Sequence, residues 1–216
     1  MGFANIIFDF DGTLADSRRD IAGAQLWVLR QFGVNDHTLE DLTPMIGRSL
    51  ADTFARFLPP ALHGRIPEAK ELYAEYYRPR ALATTTLFPG VAETLDQLVR
   101  GGKRLAVAST KRGPGIKRAA DHFGITARFV QLQGSEGMPV KPDPAILNKV
   151  MADQGWERTE TLMVGDTDMD ILAGRNAGVA ICAVTYGSLR EEELRRLSPD
   201  FVIGRFPDLL AIVNHR

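Results

Sequence analysis

The sequence predicts an α/β protein: a parallel sheet covered by helices on both faces, broken after its first strand by an all-helical insert. Three observations point there. Short apolar runs ending in Gly, Ser, Thr or Asp alternate with amphipathic helical stretches along most of the chain. One stretch of about 70 residues departs from this and reads as helix throughout, long enough for a small subdomain. The residues that could carry chemistry fall where strands end. Right-handed crossovers bring the ends of parallel strands to one edge of a sheet.

The first strand is the run Phe3 to Phe8, centred on Ile6-Ile7-Phe8. From Asp16 to about Thr86 the spacing predicts helices and no strand. Ile21, Ala24, Val28, Leu29 and Phe32 line one helix face stopped at Gly33. Leu50, Phe54 and Phe57 line a second, stopped by Pro59-Pro60; Leu72, Tyr73 and Tyr76 line a third, ending near Pro79. The chain returns at Leu87-Phe88-Pro89-Gly90. Alternation then resumes with helices Val91 to Val99, Ile116 to Phe123, Ala145 to Met151 and Ile171 to Ala177, each followed by glycine. The intervening strands are Leu105 to Ala108, Phe129 to Leu132, Leu162 to Val164, Val179 to Val184 and Phe201 to Ile203. Residues 1–15 and 87–216 thus form one core, with 16–86 inserted as a helical subdomain.

The chain has 216 residues, enough for one sizeable core with a small second unit. Twenty-six basic and 27 acidic residues leave a formal net charge of -1, which argues against nucleic-acid binding through bulk positive charge. The single cysteine, Cys182, lies in an apolar run and reads as a buried strand thiol. No apolar stretch is long enough for a membrane span, and the fold begins at once with no leader pattern, so a cytoplasmic enzyme is expected.

Four motifs sit at strand ends. In Asp9-Phe10-Asp11-Gly12-Thr13, residues two apart point the same way along an extended chain. Asp9 and Asp11 can therefore face one reacting centre while Phe8 and Phe10 face the core. Such close charges need a metal, a lysine or a shared proton. One carboxylate can attack phosphorus, and a second carboxyl can serve as acid and then base. Gly12 allows a tight turn that presents amides to an anion. Ser109-Thr110 places hydroxyls before a helix, where they can meet a phosphate oxygen or simply cap the helix. Lys141, held by Pro142 and Pro144, can neutralise carboxylates and phosphate together. Asp166, Asp168 and Asp170 offer hard oxygen ligands of the kind magnesium takes, or acids that oppose a helix dipole.

Together these residues resemble the motifs of the haloacid dehalogenase (HAD) superfamily, specifically its phosphatases with a helical cap after the first motif. The resemblance covers nearly the whole chain. Asp9-Phe10-Asp11-Gly12-Thr13-Leu14-Ala15-Asp16-Ser17 resembles the first motif, Ser109 the second, Lys141 the third, and Asp166 with Asp170 the fourth. It implies a Rossmann-like core with 16–86 as a mobile cap. Asp9 would be nucleophile and Mg2+ ligand. Asp11 would be general acid/base, giving the metal its backbone carbonyl, and Asp166 the other protein ligand. Ser109 and Lys141 would hold the phosphoryl group, and Asp170 would orient Lys141 or reach the metal through water. Thr110 stands where close relatives commonly have Asn, and Asp168 is an extra acid without an assigned role. The branch most resembled is phosphoglycolate phosphatase-like. There Gly47-Arg48 looks like a cap loop near the substrate, where Arg48 would meet a carboxylate or second phosphate; a surface arginine is the equal alternative.

The expected activity is Mg2+-dependent hydrolysis of a small phosphorylated metabolite, phosphoglycolate first, by a monomer or weak homo-oligomer. Pyrophosphatase, sugar phosphomutase and phosphonatase share this fold. A phosphonatase needs a cap lysine, and the cap holds only Lys70. A dehalogenase is disfavoured by Asp11, and a phospho-receiver module by the helical insert and the chain length. His37, His63, His122 and His215 have no ligand-like spacing. Lys111-Arg112 and Lys117-Arg118 read as a solvated helix face, Glu191 to Arg196 as an exposed helix, and Trp27 and Trp156 as packing residues.

Overall fold

The protein is described here by a computed structural model covering residues 2–214, so His215 lies outside the described residues. Six strands form one parallel sheet: β1 (Asn5–Phe8), β4 (Arg104–Ala108), β5 (Gln131–Gln133), β6 (Thr161–Gly165), β7 (Ala180–Val184) and β8 (Phe201–Ile203), ordered β5-β4-β1-β6-β7-β8. The chain builds outward from β1 to β5, then crosses back to build β6 to β8 on the other side. The strand order reverses at β1, and in open α/β sheets ligands bind beyond the strand ends at such a point.

The central strands β1, β4, β6 and β7 are mostly apolar because both faces are covered, whereas the edge strand β5 is Gln131-Leu132-Gln133 and half-buried. Ile6 aligns with Leu105 and Leu162, and Phe8 with Val107 and Val164. These residues share one core with Phe10 and with α5 (Val91–Arg100), α6 (Gly113–His122) and α10 (Leu209–Asn214). Ile7 aligns with Ala106 and Met163 on the opposite face, against α7 (Ala145–Gln154), α8 (Asp168–Ala177) and Trp156. Phe8 and Phe10 do face the core, which leaves Asp9 and Asp11 turned away from it. Strand β5 begins two residues later than its apolar run, and α9 (Glu191–Arg196) is the short exposed helix expected, with Arg195 paired to Glu191 at 2.6 Å.

The insert carries α1 (Arg18–Gln31), α2 (Leu39–Leu42), α3 (Leu50–Phe57) and α4 (Ile66–Tyr77). Its core is separate, built from Val28, Leu29, Leu42, Phe54, Leu58, Ala69 and their neighbours. Trp27 packs within it, stacked on Tyr76 with ring centroids 4.2 Å apart. One expectation is corrected here. The segment from Asp16 to Thr86 is not free of strand: β2 (Ala15–Asp16) and β3 (Thr86–Leu87) pair antiparallel where the chain leaves and re-enters the sheet domain. Two residues per strand are too few to leave an alternating pattern. Asp20 reinforces this junction by accepting hydrogen bonds from the backbone and hydroxyls of Thr84 and Thr85 at 2.7–3.2 Å.

Among the described residues no helix is long and apolar enough to cross a membrane. Cys182 is buried in β7, and burial pushes its thiol up to about 12. A free thiol titrates near ~8.5, so native Cys182 stays protonated where an unfolded chain is partly thiolate. We predict that a thiol reagent at pH 8 labels the protein only after unfolding in guanidinium; rapid labelling of the native protein would contradict this burial.

Candidate active site

Five charged side chains converge beyond the end of β1, and all are buried: Asp9, Asp11, Lys141, Asp166 and Asp170. Asp9 continues β1, its N–H bonded to the carbonyl of Val164 at 2.9 Å. The loop before α7 brings Lys141 in, and its ammonium lies 2.8 Å from Asp9 Oδ1 and 2.6 Å from Asp170 Oδ1. Asp170 is fixed by a capping box at the start of α8. Its Oδ2 accepts from the Thr167 hydroxyl at 2.6 Å and the Thr167 N–H at 3.1 Å, while Thr167 Oγ1 accepts the Asp170 N–H. Asp166 follows β6; its Oδ1 accepts from the Thr13 hydroxyl at 2.9 Å and its Oδ2 from the Ser188 N–H at 2.7 Å.

Glycines let these acids come together. Gly12 has φ +90°, and a Cβ there would lie 2.2 Å from Asp166 Oδ2. A Cβ on Gly187 would lie 2.2 Å from the Asp166 Cβ. Either substitution displaces Asp166, and at Gly12 it adds left-handed strain.

Asp11 does not share the Lys141 ammonium. Its Oδ1 accepts from the Ser17 hydroxyl at 2.7 Å, and its Oδ2 lies 2.8 Å from the ammonium of Lys111. Lys111 also donates to the hydroxyl of Tyr77, on α4, at 3.1 Å. The solvated-face reading of Lys111 is therefore wrong. Lys111 precedes α6 rather than lying on it, and its side chain is 14% exposed. Arg112, Lys117 and Arg118, the rest of that basic stretch, are exposed. The loop after β5 holds this segment in place: Ser135 Oγ donates to the Thr110 carbonyl at 2.7 Å, and the Gly113 N–H donates to Glu136 at 2.7 Å.

Burial raises the Asp9 carboxyl well above the ordinary range; Lys141 lowers it, while the charges of Asp170 and Asp166 raise it further. Burial and the Asp170 charge raise Asp166 in the same direction, against its bonds from Ser188 and Thr13. Burial alone would lower both lysines, but neighbouring acids hold them above the usual lysine value: Asp170 and Asp9 for Lys141, Asp11 with Tyr77 for Lys111. One ammonium does not balance three carboxylates. Asp9, Asp166 and Asp170 each offer an oxygen within 4.8 Å of the others, a hard-donor set suited to a divalent cation. The Ser188 hydroxyl is buried beside Asp166 without a hydrogen-bond partner. The residues present fit a metal.

Ser109 is buried at the end of β4, its Oγ accepting the Lys111 N–H at 3.3 Å. Thr110 reaches its neighbours through its carbonyl, to Ser135. Arg48 is neither a free surface arginine nor turned to the acid cluster: it donates to Asp168 Oδ2 at 2.6 Å, which gives the extra acid a partner. His37 packs edge-on against Phe57, and His63 contacts the Leu58 carbonyl. Thr13 and Ser17 lay in the first motif without an assigned role, and Tyr77 and Ser188 escaped sequence reasoning. For Lys111 a signal existed, since it stands two residues past Ser109, the same spacing that aligns Asp9 with Asp11.

A family model for haloacid dehalogenase-like hydrolases matches residues 6–184. The chain is 34% identical to a phosphoglycolate phosphatase of Vibrio vulnificus, over 96% of this chain and 95% of that one. It is 33% identical to the pyrophosphatase PpaX of Halalkalibacterium halodurans, over 99% and 98%. A solved haloacid dehalogenase-like family hydrolase from Streptococcus pneumoniae superposes with a TM-score of 0.89 at 25% identity, covering 97% of both chains. The chain belongs to the haloacid dehalogenase-like hydrolase family.

The Arg48–Asp168 pair predicts non-additivity. Its side chains are 32% and 25% exposed, so solvent weakens it. In urea unfolding of Arg48→Met, Asp168→Asn and the double variant, a coupling of about 0.5–1 kcal/mol is expected. Strictly additive losses would show that the pair does not form in solution.

Proposed function

We propose that this haloacid dehalogenase-like hydrolase is a Mg2+-dependent phosphatase of small phosphomonoesters that works through an aspartyl phosphate. The observation that carries the mechanism is the division of labour between two acids two residues apart. Asp9 sits with Lys141 in the acid cluster, and Asp11 sits apart with Ser17 and Lys111. Similar neighbours would give two carboxylates similar work; different neighbours suit one for attack and the other for proton transfer.

Asp9 and Asp166 would hold the metal, with Asp170 behind them, and the Asp11 backbone carbonyl would complete the protein's share. The bound cation would supply positive charge that lets an anionic nucleophile approach an anionic phosphate. Lys141 holds Asp9 Oδ1, which leaves the other oxygen to attack phosphorus. Ser109 and Lys141 bind the phosphoryl oxygens. As the phosphorus–oxygen ester bond breaks, Asp11 gives its proton to the departing alkoxide; it then takes a proton from the water that hydrolyses the aspartyl phosphate. Asp9 is regenerated and inorganic phosphate leaves.

Residues 16–86 serve as the cap. Their apolar core is separate from those of the sheet domain. The observed bridges across the seam include polar ones: Arg48 to Asp168, Lys111 to Tyr77, and Arg18 to the Gly187 carbonyl at 3.1 Å. Polar bridges exchange readily with water, so a unit held by them can open about β2 and β3 to admit substrate and close to exclude water. Phosphoglycolate is the leading substrate, and pyrophosphate, an anhydride rather than an ester, is the alternative; both are named for relatives. Lys70 is exposed on α4, which does not favour a phosphonatase.

Two measurements test the chemistry. Phosphate release from phosphoglycolate should require Mg2+, fall to background in EDTA, and drop at least about 10³-fold in Asp9→Asn. Asp11→Asn should lose about 10²–10⁴-fold in kcat. Near-normal release by pure Asp9→Asn would refute the aspartyl-phosphate route.

A further inference from the structure

We propose that Lys111 selects substrates whose leaving group carries its own negative charge close to the ester oxygen, by binding that charge directly. This rests on the phosphatase reading and names the substrate class for the same site.

The placement follows from Asp11. If Asp11 protonates the departing oxygen, its carboxyl marks where the leaving group sits. Lys111 touches that carboxyl from the cap side, between Asp11 Oδ2 and Tyr77 on α4. An ammonium has three N–H donors. Two are used, by Asp11 and Tyr77, and the third meets no acceptor among the described residues. The ammonium is thus anchored, charged, shielded from bulk water and one bond short of saturation, beside the leaving group's path. A carboxylate or phosphate one or two atoms beyond the ester oxygen would complete it with a charge-assisted hydrogen bond. A neutral alcohol would leave that donor without a partner from the substrate, which costs binding.

Arg48 is the competing candidate, and the structure favours Lys111. The Arg48 guanidinium is already engaged by Asp168 and is more exposed, at 32% against 14% for Lys111. Its contacts are Asp168 and Met169, on the first turn of α8, rather than either carboxyl of the Asp9–Asp11 pair. Phosphoglycolate and pyrophosphate share the required feature, a second anionic group next to the bridging oxygen. Ester phosphates of simple sugars at a primary hydroxyl lack it.

The test compares kcat/KM for phosphoglycolate and pyrophosphate with that for ethyl phosphate, which matches phosphoglycolate but lacks its carboxylate. The wild type should prefer the two compounds whose leaving group carries its own negative charge. Lys111→Met should lower kcat/KM for all three, because it also strips Asp11 of a partner. The loss on phosphoglycolate and pyrophosphate should exceed that on ethyl phosphate by at least about ten-fold. Lys111→Arg, which keeps the charge, should retain most of the preference, and it serves should Lys111→Met fold poorly. Equal losses on all three substrates, or a wild type indifferent to the second charge, would overturn the assignment while leaving the phosphatase intact. Turnover of ethyl phosphate that depends on Asp9 confirms the chemistry independently. No turnover of any compound would instead overturn the phosphatase reading, and this inference with it.

Discussion

The Lys141 ammonium between Asp9 and Asp170 is the contact on which the rest of the site depends. Three buried carboxylates within a few ångströms would repel one another and resist ionisation in a medium poor in water. Removing one partner from such a cluster leaves an uncompensated buried charge, which is far more damaging than losing a surface pair. Lys141 reduces the imbalance without abolishing it. The residual negative charge suits a cation, and the Asp9 and Asp166 carboxyls are raised, by burial first and by the neighbouring acids after it. A site fully neutralised by its own lysines would offer a cation less, and one with no lysine would leave Asp9 without its 2.8 Å ion pair.

The scaffold makes this arrangement through parallel strands and small residues. Asp9, Ser109 and Asp166 each follow a strand of one parallel sheet, on β1, β4 and β6, which are neighbours. Their relative positions are therefore set by the hydrogen-bonded register rather than by loops. Gly12, Gly187 and Gly165 then remove the Cβ atoms that would hold the acids apart; a Cβ on Gly165 would sit 2.3 Å from that of Asp170. The charge cluster costs solvation, and rigid β-structure on both sides resists the relaxation that would relieve it.

Much of this was legible in the sequence because it is local. Strands buried on both faces write continuous apolar runs, and helices that end in glycine mark their own limits, so all six sheet strands and the main helices could be read from the chain. Asp9, Asp11, Lys141, Asp166 and Asp170 were visible because each sits beside a strand end or a proline-set turn. What was hidden depends on distant pairing. The β2–β3 ribbon joins residues about 70 apart with two residues per strand, too short for periodicity to register. Asp168 had no meaning without Arg48, 120 positions away, and Tyr77 none without Lys111, 34 away. Lys111 was misread for a different reason: its place two residues past Ser109 was visible, but the basic stretch around it reads as one solvated face. Here the segment held by Ser135 and Glu136 buries one of four.

Two lysines for two aspartates, rather than one shared ammonium, is the feature that separates the roles of Asp9 and Asp11. Lys141 comes from the sheet domain and contacts acids of that domain alone, so its grip on Asp9 is indifferent to where the helical insert stands. Lys111 is held on one side by Asp11 and on the other by Tyr77 of the insert. Its surroundings would therefore change if the insert opened as proposed, because the Tyr77 contact would be lost and water admitted. In the proposed mechanism the nucleophile would be held by the sheet domain alone, and the acid/base would be coupled to the insert. On that proposal, attack geometry would be independent of the insert, whereas proton transfer to the leaving group would depend on its being closed.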